Sequence, residues 1–264
     1  MKKNVVFIMN VDPQVIDPKW ERFHTSRKTP YELSVKSWKH WCEKNDCELF
    51  VLTDLLFPHE EMKCTWQRYY IFDLLEANDI NYDQICYVDA DTIVHPDCPN
   101  FFDMTEGKLC GAHFDGSWEW VLRSIEVYGK YAFENHKIDW YKYIDSGFWI
   151  VNEKHKKLFK NLCEYYWLNK DLLKELELNF RLGTDQTPFN YFILGYDEPV
   201  DFKLLPYEFN MNDMARKELL ADDLLFTKCG WIYQYNAIPN NDDNKLTEYF
   251  MKKTYDYLYG GGND

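Results

Sequence analysis

The first half of the chain alternates short apolar runs with longer segments in which apolar residues recur every three or four positions. The runs VVFIM (5–9), ELFVLTD (48–54) and QICYVD (84–89) have the length and the β-branched and aromatic content of buried strands. Between them, 29–45 and 65–78 have the periodicity of amphipathic helices. This β-α-β-α-β order predicts an α/β fold, with a mostly parallel central sheet and helices on both of its faces.

The second half of the chain is less regular. Four further segments resemble strands: LCGAHFD (109–115), GFWIVN (147–152), DFKLL (201–205) and GWIYQY (230–235). Helical periodicity is found near 153–175, 185–195 and 241–258. Neither a repeat nor a clear linker interrupts the pattern, which predicts a single domain over 1–259 and a flexible tail, GGGND, over 260–264.

Charge and composition narrow the possible partners. The chain has 264 residues, of which 46% are hydrophobic, and 44 acidic residues against 30 basic ones give a net charge of −14. Such a chain is globular and has little means of neutralising a nucleic-acid backbone, so we expect no nucleic-acid partner. An anionic substrate would need a metal ion or a locally basic pocket to offset repulsion.

Neither a transmembrane segment nor a secretory leader is expected. No apolar run reaches the length of a membrane span, and the apolar stretch near the start is too short for a signal sequence. The eight cysteines include no CxxC pair, and several of them lie in strand-like runs. This usage favours reduced, buried thiols and a cytoplasmic location.

The stretch YVDADTIV (87–94) has two aspartates, Asp89 and Asp91, directly after a buried strand. Carboxylates here can cap a turn. They can instead bind a divalent cation that bridges a nucleoside diphosphate. The pattern also matches the DxDxT sequence of haloacid dehalogenase-like phosphatases, whose first aspartate attacks phosphorus. That motif normally follows the first strand of its fold, whereas this one follows the third.

Four segments, taken in order, resemble a known family. The stretch RYYIFDLLEANDINYDQICYVDADTIVHPD (68–97) resembles the central segment of GT-A-fold glycosyltransferases, with an Arg-bearing helix, a strand and the DxD motif. YIDSGFWIVNEKHKKLF (143–159), GTDQTPFNYFI (183–193) and WIYQYNAIP (231–239) resemble the "NSGVFIIN", "DQxxLN" and "IIHFNG" segments of the glycogenin-like and bacterial galactosyltransferase group.

The resemblance implies a metal-dependent glycosyltransferase that uses Mn²⁺ or Mg²⁺. Its donor would be a nucleotide-sugar, with a UDP-sugar favoured, and its acceptor a glycan or another hydroxyl compound. It would be a hexosyl- or pentosyltransferase, with retention of anomeric configuration favoured over inversion. Residues 1–115 would form the nucleotide-binding half of the single GT-A domain, and 116–259 the half that binds donor sugar and acceptor.

The resemblance also assigns roles to residues of the nucleotide-binding half. Asp91 would bind the metal, and Asp89 would bind it too or contact the ribose. Arg68 would contact the nucleotide, although a surface ion pair is the alternative. The loop after the first strand would hold the base and ribose, or would be a simple turn; its residues are Asn10, Val11 and Asp12.

Two pairs of residues in the second half would act on the sugar. Asp145 and Ser146 would face the hydroxyls of the donor sugar. Asp185 could position the sugar or acceptor, or act as the base of an inverting reaction, and Gln186 could stabilise the cationic sugar of a retaining one. Asp185 could alternatively be an ordinary residue at a helix start.

One position departs from the family pattern. Relatives supply a third metal ligand through the histidine of IIHFNG, where this chain has Gln234, and no histidine follows His155. The carbonyl oxygen of Gln234 could replace it for a hard cation. The departure also leaves open a catalytically silent GT-A domain that binds glycan or nucleotide. Trp118 and Trp120 could form a stacking platform for the acceptor, or could be packing residues.

Overall fold

The computed structural model describes residues 2–11, 28–114, 116–180, 182–183, 185–212, 224–236, 238 and 245–260. Its strands are β1 (Lys3–Met9), β2 (Glu48–Leu52), β3 (Tyr82–Asp89), β4 (Thr92–Val94), β5 (Leu109–His113), β6 (Ile144–Asn152), β7 (Phe202–Leu205) and β8 (Ile232–Gln234). Its α-helices are α1 (Lys28–Lys44), α2 (Cys64–Gln67), α3 (Ile71–Ala77), α4 (Trp118–Ala132), α5 (Lys156–Phe180), α6 (Gln186–Ile193) and α7 (Lys245–Tyr259).

Six of these strands form one sheet, in the order β2-β1-β3-β6-β5-β7. All of its neighbouring pairs are parallel except those made by β6, which is antiparallel to both β3 and β5. The carboxyl ends of the other five strands therefore lie at the same edge as the start of β6. This mixed, mostly parallel sheet confirms the predicted fold class, and ligands of such sheets bind at this edge.

Side chains alternate between the two faces of the sheet along each strand, so the hydrophobic core has one part on each face. Val5 and Phe7 of β1 belong to one buried cluster, whereas Val6 and Ile8 belong to another. The first cluster contains apolar residues of α3, α5 and α6, and the second contains residues of α1 such as Trp38. Successive side chains of a strand point to opposite faces, so a strand buried on both faces has the continuous apolar run seen in the sequence.

Three predicted elements differ in the structure, and one helix, α4, was not predicted from the sequence. The strand predicted at 147–152 begins already at Ile144, so Asp145 and Ser146 lie within it and are buried. The predicted strand 230–235 does not enter the main sheet; its core, β8, pairs with β4 as a separate two-stranded sheet. The predicted helix 65–78 is divided by a 3₁₀ turn over Arg68–Tyr70. There, Arg68 Nε donates to the Thr65 carbonyl oxygen at 2.7 Å, the oxygen that a continuous α-helix would pair with residue 69.

None of the helices within the described ranges combines the length and hydropathy that a membrane span requires. The eight cysteines are free thiols, and five of them are buried. Burial raises the pKa of these thiols, to about 12 for Cys110, which keeps them protonated and unreactive.

Candidate active site

Polar side chains from four parts of the chain meet at the carboxyl edge of the main sheet. Asp89 is the last residue of β3, and Asp91 lies in the turn to β4. Asp145 is near the start of β6, and Asp185 directly precedes α6. We call these four carboxylates the edge cluster, together with the polar side chains of Arg68, Tyr69, Tyr87, Ser146, Gln186, Asn210, Asn212 and Gln234.

Asp89 is surrounded by hydrogen-bond donors. Its Oδ1 accepts from the Tyr87 hydroxyl at 2.7 Å and from Arg68 Nη1 at 3.0 Å. Its Oδ2 accepts from Gln234 Nε2 at 3.0 Å. Both oxygens of this carboxylate are thus satisfied by the protein.

Arg68 is the cation of this arrangement and is buried. Besides Asp89, its Nη1 donates to the Ser146 carbonyl oxygen at 2.9 Å, and its Nε lies 3.7 Å from Asp185 Oδ2. Burial by itself would lower the pKa of the guanidinium, but the negative charges around it, Asp89 foremost, raise that pKa well above its usual value. Arg68 is therefore charged and contacts two of the carboxylates, Asp89 and Asp185. Because it is buried, it does not form the surface ion pair that was its alternative role.

Asp91 contrasts with Asp89. Its backbone is fixed, because the Tyr235 N–H donates to the Asp91 carbonyl oxygen at 2.9 Å. Its side-chain Oδ1 is buried and accepts no hydrogen bond. Burial, and then the negative charges of Asp89 and Asp145, raise the pKa of Asp91. A carboxylate in this position needs a positive partner to stay ionised.

Asp145 is buried near the start of β6. Its Oδ1 accepts from the Gly147 N–H at 2.5 Å, and Asn212 Nδ2 lies 3.5 Å from its Oδ2. Burial and the charge of Asp89 raise the pKa of Asp145 to about 7. Gly147 lets these groups approach, because a Cβ there would lie 2.4 Å from Gln234 Nε2 and 2.6 Å from Asp89 Oδ2.

Asp185 and Gln186 are held beside Asp145 and Ser146 by the start of α6. The Tyr69 hydroxyl donates to Asp185 Oδ2 at 2.9 Å, and the Asp185 side chain makes no capping bond to its helix. Gln186 Oε1 accepts from the Ser146 N–H at 3.2 Å and from the Ser146 hydroxyl at 3.3 Å. Gln186 Nε2 is buried without a hydrogen-bond acceptor. It is a donor that a ligand oxygen could satisfy.

Gln234 lies in the edge cluster, but its amide has the orientation opposite to the one that a metal ligand would need. The nitrogen faces Asp89, and the oxygen accepts from Asn210 Nδ2 at 3.1 Å. The expectation that its oxygen would face a cation is therefore not met in this arrangement.

The donor set of the edge cluster fits a hard cation. Carboxylate and amide oxygens are the ligands that Mg²⁺ and Mn²⁺ accept, and the buried, unpaired Asp91 Oδ1 is an atom that such an ion would satisfy. Within the described residues, however, no group of three or more His, Cys, Asp or Glu side chains could hold a metal ion. Protein carboxylates alone therefore give an incomplete set, which other oxygens must complete.

The remaining sequence-based candidates lie at the same edge or outside the described residues. Asn10 and Val11 follow β1, where the Asn10 N–H donates to the Leu52 carbonyl oxygen at 2.9 Å; Asp12 is outside the described residues. The two tryptophans differ. Trp120 packs on Phe114, whereas Trp118 is half exposed.

Four residues of the edge cluster were not identified from the sequence: Tyr69, Tyr87, Asn210 and Asn212. Tyr87 could have been, because it lies two positions before Asp89 and thus on the same side of the strand. In the sequence, Tyr69 has the features of an ordinary core aromatic residue, and it does pack in the hydrophobic core. Asn210 follows β7 in a segment with no recognisable periodicity, and its role depends on pairing with β8.

No protein-family model matches the sequence, and no curated protein matches it. Solved structures do match. A glycosyltransferase involved in glycosylation of the major capsid of PBCV-1 has a TM-score of 0.56 at 10% identity, over 95% of this chain and 98% of that one. The galactosyltransferase LgtC, in complex with donor and acceptor sugar analogues, has a TM-score of 0.52 at 12% identity, over 97% and 96%. An active-site mutant of LgtC, in which a glutamine is replaced by glutamate, gives 0.53 at 11% identity, over 95% of each chain. Together with its sheet order, these matches show that the chain has the GT-A fold of glycosyltransferases.

Proposed function

We propose that this protein is a metal-dependent glycosyltransferase that transfers a sugar from a nucleoside-diphosphate donor, with a UDP-sugar favoured, to a glycan or another hydroxyl acceptor. The observation that carries the proposal is the edge cluster itself. Four carboxylates and one buried guanidinium meet at the sheet edge where ligands of this architecture bind. The likeness to LgtC, whose structure holds donor and acceptor sugar analogues, supports the same reaction class.

The metal site would use Asp89 and Asp91, with the cofactor Mn²⁺ or Mg²⁺. A divalent cation bound there would offset the negative charge of the diphosphate leaving group. Arg68 holds Asp89 in place and keeps the local charge from becoming more negative. Asn10, Val11 and Asp12 are proposed to contact the base and ribose, because their loop follows β1, the strand next to β3 in the sheet.

Asp145, Ser146, Asp185 and Gln186 are proposed to act on the donor sugar. Gln186 Nε2 offers an unpaired N–H to a sugar or phosphate oxygen. Asp185 Oδ2 accepts from the Tyr69 hydroxyl and lies 3.7 Å from Arg68 Nε, so the carboxylate is engaged by the protein and is a well-fixed orienting group. An inverting enzyme needs a free base at the acceptor, so this arrangement favours retention. Proton NMR of the first product formed would distinguish the two stereochemical outcomes.

Transfer and hydrolysis of UDP-sugars, measured with Mn²⁺, with Mg²⁺ and with EDTA, test the proposal. We expect turnover that EDTA abolishes. We also expect UDP and Mn²⁺ together to raise the melting temperature more than the sum of their separate effects. Ligand at 100 times its dissociation constant stabilises the native state by about 2.7 kcal/mol. Additive, EDTA-insensitive shifts would contradict a shared site.

A catalytically silent binding domain is the second candidate. The incomplete carboxylate set and the glutamine at 234 favour it. UDP binding with Mn²⁺ but no turnover of any UDP-sugar would support this candidate. The haloacid dehalogenase-like phosphatase receives no such support, because Asp89 ends β3, the third strand of the chain, whereas the motif of those phosphatases follows the first strand.

A further inference from the structure

A row of hydrogen bonds runs through three side chains of the edge cluster, from Asp89 to Gln234 to Asn210. An ionised carboxylate only accepts hydrogen bonds, so Gln234 must turn its NH₂ group toward Asp89 Oδ2, 3.0 Å away. The Gln234 oxygen then faces Asn210, whose Nδ2 donates to it at 3.1 Å. We call this row the amide relay.

The amide relay determines which atom of the Asn210 amide has no hydrogen-bond partner. Asn210 is fully buried, and its Oδ1 has no hydrogen-bond partner. Turning the Asn210 amide over would bring two oxygens face to face, so the unpaired oxygen cannot be relieved in that way. An unsatisfied buried acceptor is unfavourable, because it has lost its hydration without gaining a hydrogen bond. The Asn210 oxygen is thus held, at a cost, in a position that only an added donor or cation can satisfy.

A second unpaired oxygen lies in the same cluster. Asp91 Oδ1 is buried and has no partner. Strand β8 links the two segments: it pairs with β4, directly after Asp91, on one side and bridges to Met211, directly after Asn210, on the other. Two acceptor-only atoms that flank one short strand among four carboxylates are better matched by a cation than by a neutral hydroxyl group.

We infer that Asn210 Oδ1 is a ligand of the divalent cation, together with Asp91, and that Gln234 is the positioning residue that aims it. This inference rests on the proposed metal-dependent function. It explains how the chain completes an oxygen site with a glutamine at the position where the family resemblance implies a histidine ligand. The glutamine at 234 does not itself supply the missing ligand; it orients one on the neighbouring segment.

Calorimetric titration of Mn²⁺ into the UDP-saturated full-length protein tests the inference. We expect Asn210→Ala to weaken Mn²⁺ binding about tenfold or more, and Asn210→Asp to keep the affinity within about threefold or to tighten it, since a carboxylate still offers an oxygen. Gln234→Leu, which breaks the amide relay but leaves the Asn210 oxygen, should give a smaller loss than Asn210→Ala.

Asn152→Ala is the matched control. Asn152 lies at the far end of β6, where its amide donates to the Gly107 carbonyl oxygen at 2.8 Å and accepts from the Lys154 N–H at 3.1 Å. It should lower the melting temperature and leave the Mn²⁺ affinity unchanged.

Two results would overturn this inference and leave the proposed function standing. One is an unchanged Mn²⁺ affinity in Asn210→Ala, and the other is an equal loss of Mn²⁺ affinity in Asn210→Ala and Asn210→Asp. The second result would mean that the Asn210 N–H, not its oxygen, is what matters. A wild type that binds UDP but no Mn²⁺ would overturn both the inference and the metal dependence of the proposed function. If Asn210→Ala does not fold, Asn210→Asp and Gln234→Leu are compared with the wild type. An Mn²⁺ affinity that is within about threefold of wild type or tighter in Asn210→Asp, together with a larger loss in Gln234→Leu, supports the inference. Any other combination overturns it.

Discussion

Strand β6 has a cluster of polar side chains at each of its ends, and the two clusters are built differently. At its carboxyl end, the Asn152 N–H donates to His155 Nδ1 at 3.1 Å, and the Tyr82 hydroxyl donates to Glu153 at 2.5 Å. There the side chains cap a helix and satisfy one another. At its amino end, in the edge cluster, Asp91, Gln186 and Asn210 each keep a buried polar atom without a partner.

The difference separates structural polar groups from those built for a ligand. Burying a polar atom costs free energy unless it is hydrogen-bonded, and proteins pair the great majority of such atoms. The groups around Asn152 follow that rule. Three unpaired atoms lie together at the edge of the sheet where ligands bind, and we propose that their missing partners belong to a ligand.

Asp91→Ala should produce the largest functional effect. Removing a carboxylate that holds the cation should reduce transfer by about 10³-fold or more, because a bound metal contributes several kcal/mol to stabilising developing charge. The free energy of unfolding should stay within about 1 kcal/mol of wild type or rise, since an unpaired buried carboxylate is lost. Transfer assays and urea denaturation measure the two quantities. Asp97→Ala, which removes an exposed ion pair with Lys44, is the control. Full transfer activity of Asp91→Ala would contradict the proposal that Asp91 binds the metal.

Arg68→Met should produce the largest effect on stability. It leaves the Asp89 and Asp185 carboxylates buried without their cation, and breaking a buried ion pair costs about 3 kcal/mol or more. Urea denaturation checks this value. Arg123→Met removes only a partly exposed pair with Glu119 on α4 and should cost less than about 0.5 kcal/mol. Similar losses in both variants would mean that Arg68 does not hold the edge cluster together.

Asp185→Asn should reduce turnover by about 10²-fold while donor binding changes little, because the carboxylate is proposed to act at the reacting centre. The amide can still accept from Tyr69, so the fold should persist. Steady-state kinetics and UDP titration give the two values. Unchanged turnover with a stability loss of about 1 kcal/mol would instead assign Asp185 to the start of α6.

The smallest effect concerns the other end of β6 and depends on pH. Burial lowers the pKa of His155 to about 4, whereas the unfolded chain has a value near 6.5. Between these values the unfolded state binds more protons, so the His155 contribution to stability is full above pH 6.5 and falls as pH drops toward 4. In urea denaturation, we expect the free energy of unfolding to fall between pH 7 and pH 4.5 by about 2 kcal/mol more in the wild type than in His155→Gln. Equal losses of stability in the two proteins would contradict the lowered pKa of His155. The Mn²⁺ affinity at pH 7 should be the same in both proteins.

The sequence by itself determined the order of the first strands and helices and the sheet edge on which Asp89 and Asp91 lie. Local periodicity carries this information, because burial on both faces demands continuous apolar runs and a carboxylate cannot continue them. Separate roles toward the sugar were predicted for Asp145 with Ser146 and for Asp185 with Gln186, only through the resemblance of their segments to a family. The contact between Ser146 and Gln186 was not predicted.

Tertiary structure alone decided which oxygens of the edge cluster remain unpaired. Asn210 and Gln234 are 24 positions apart, and Gln234 and Asp89 are 145 apart. Their contact depends on β8 leaving the main sheet to pair with β4, which its sequence does not distinguish from joining the sheet. The orientation of each amide then follows from the neighbour it meets, since a carboxylate accepts only N–H groups. Periodicity reports which face of an element is buried, but the direction of a buried hydrogen bond depends on a partner that folding brings from elsewhere in the chain.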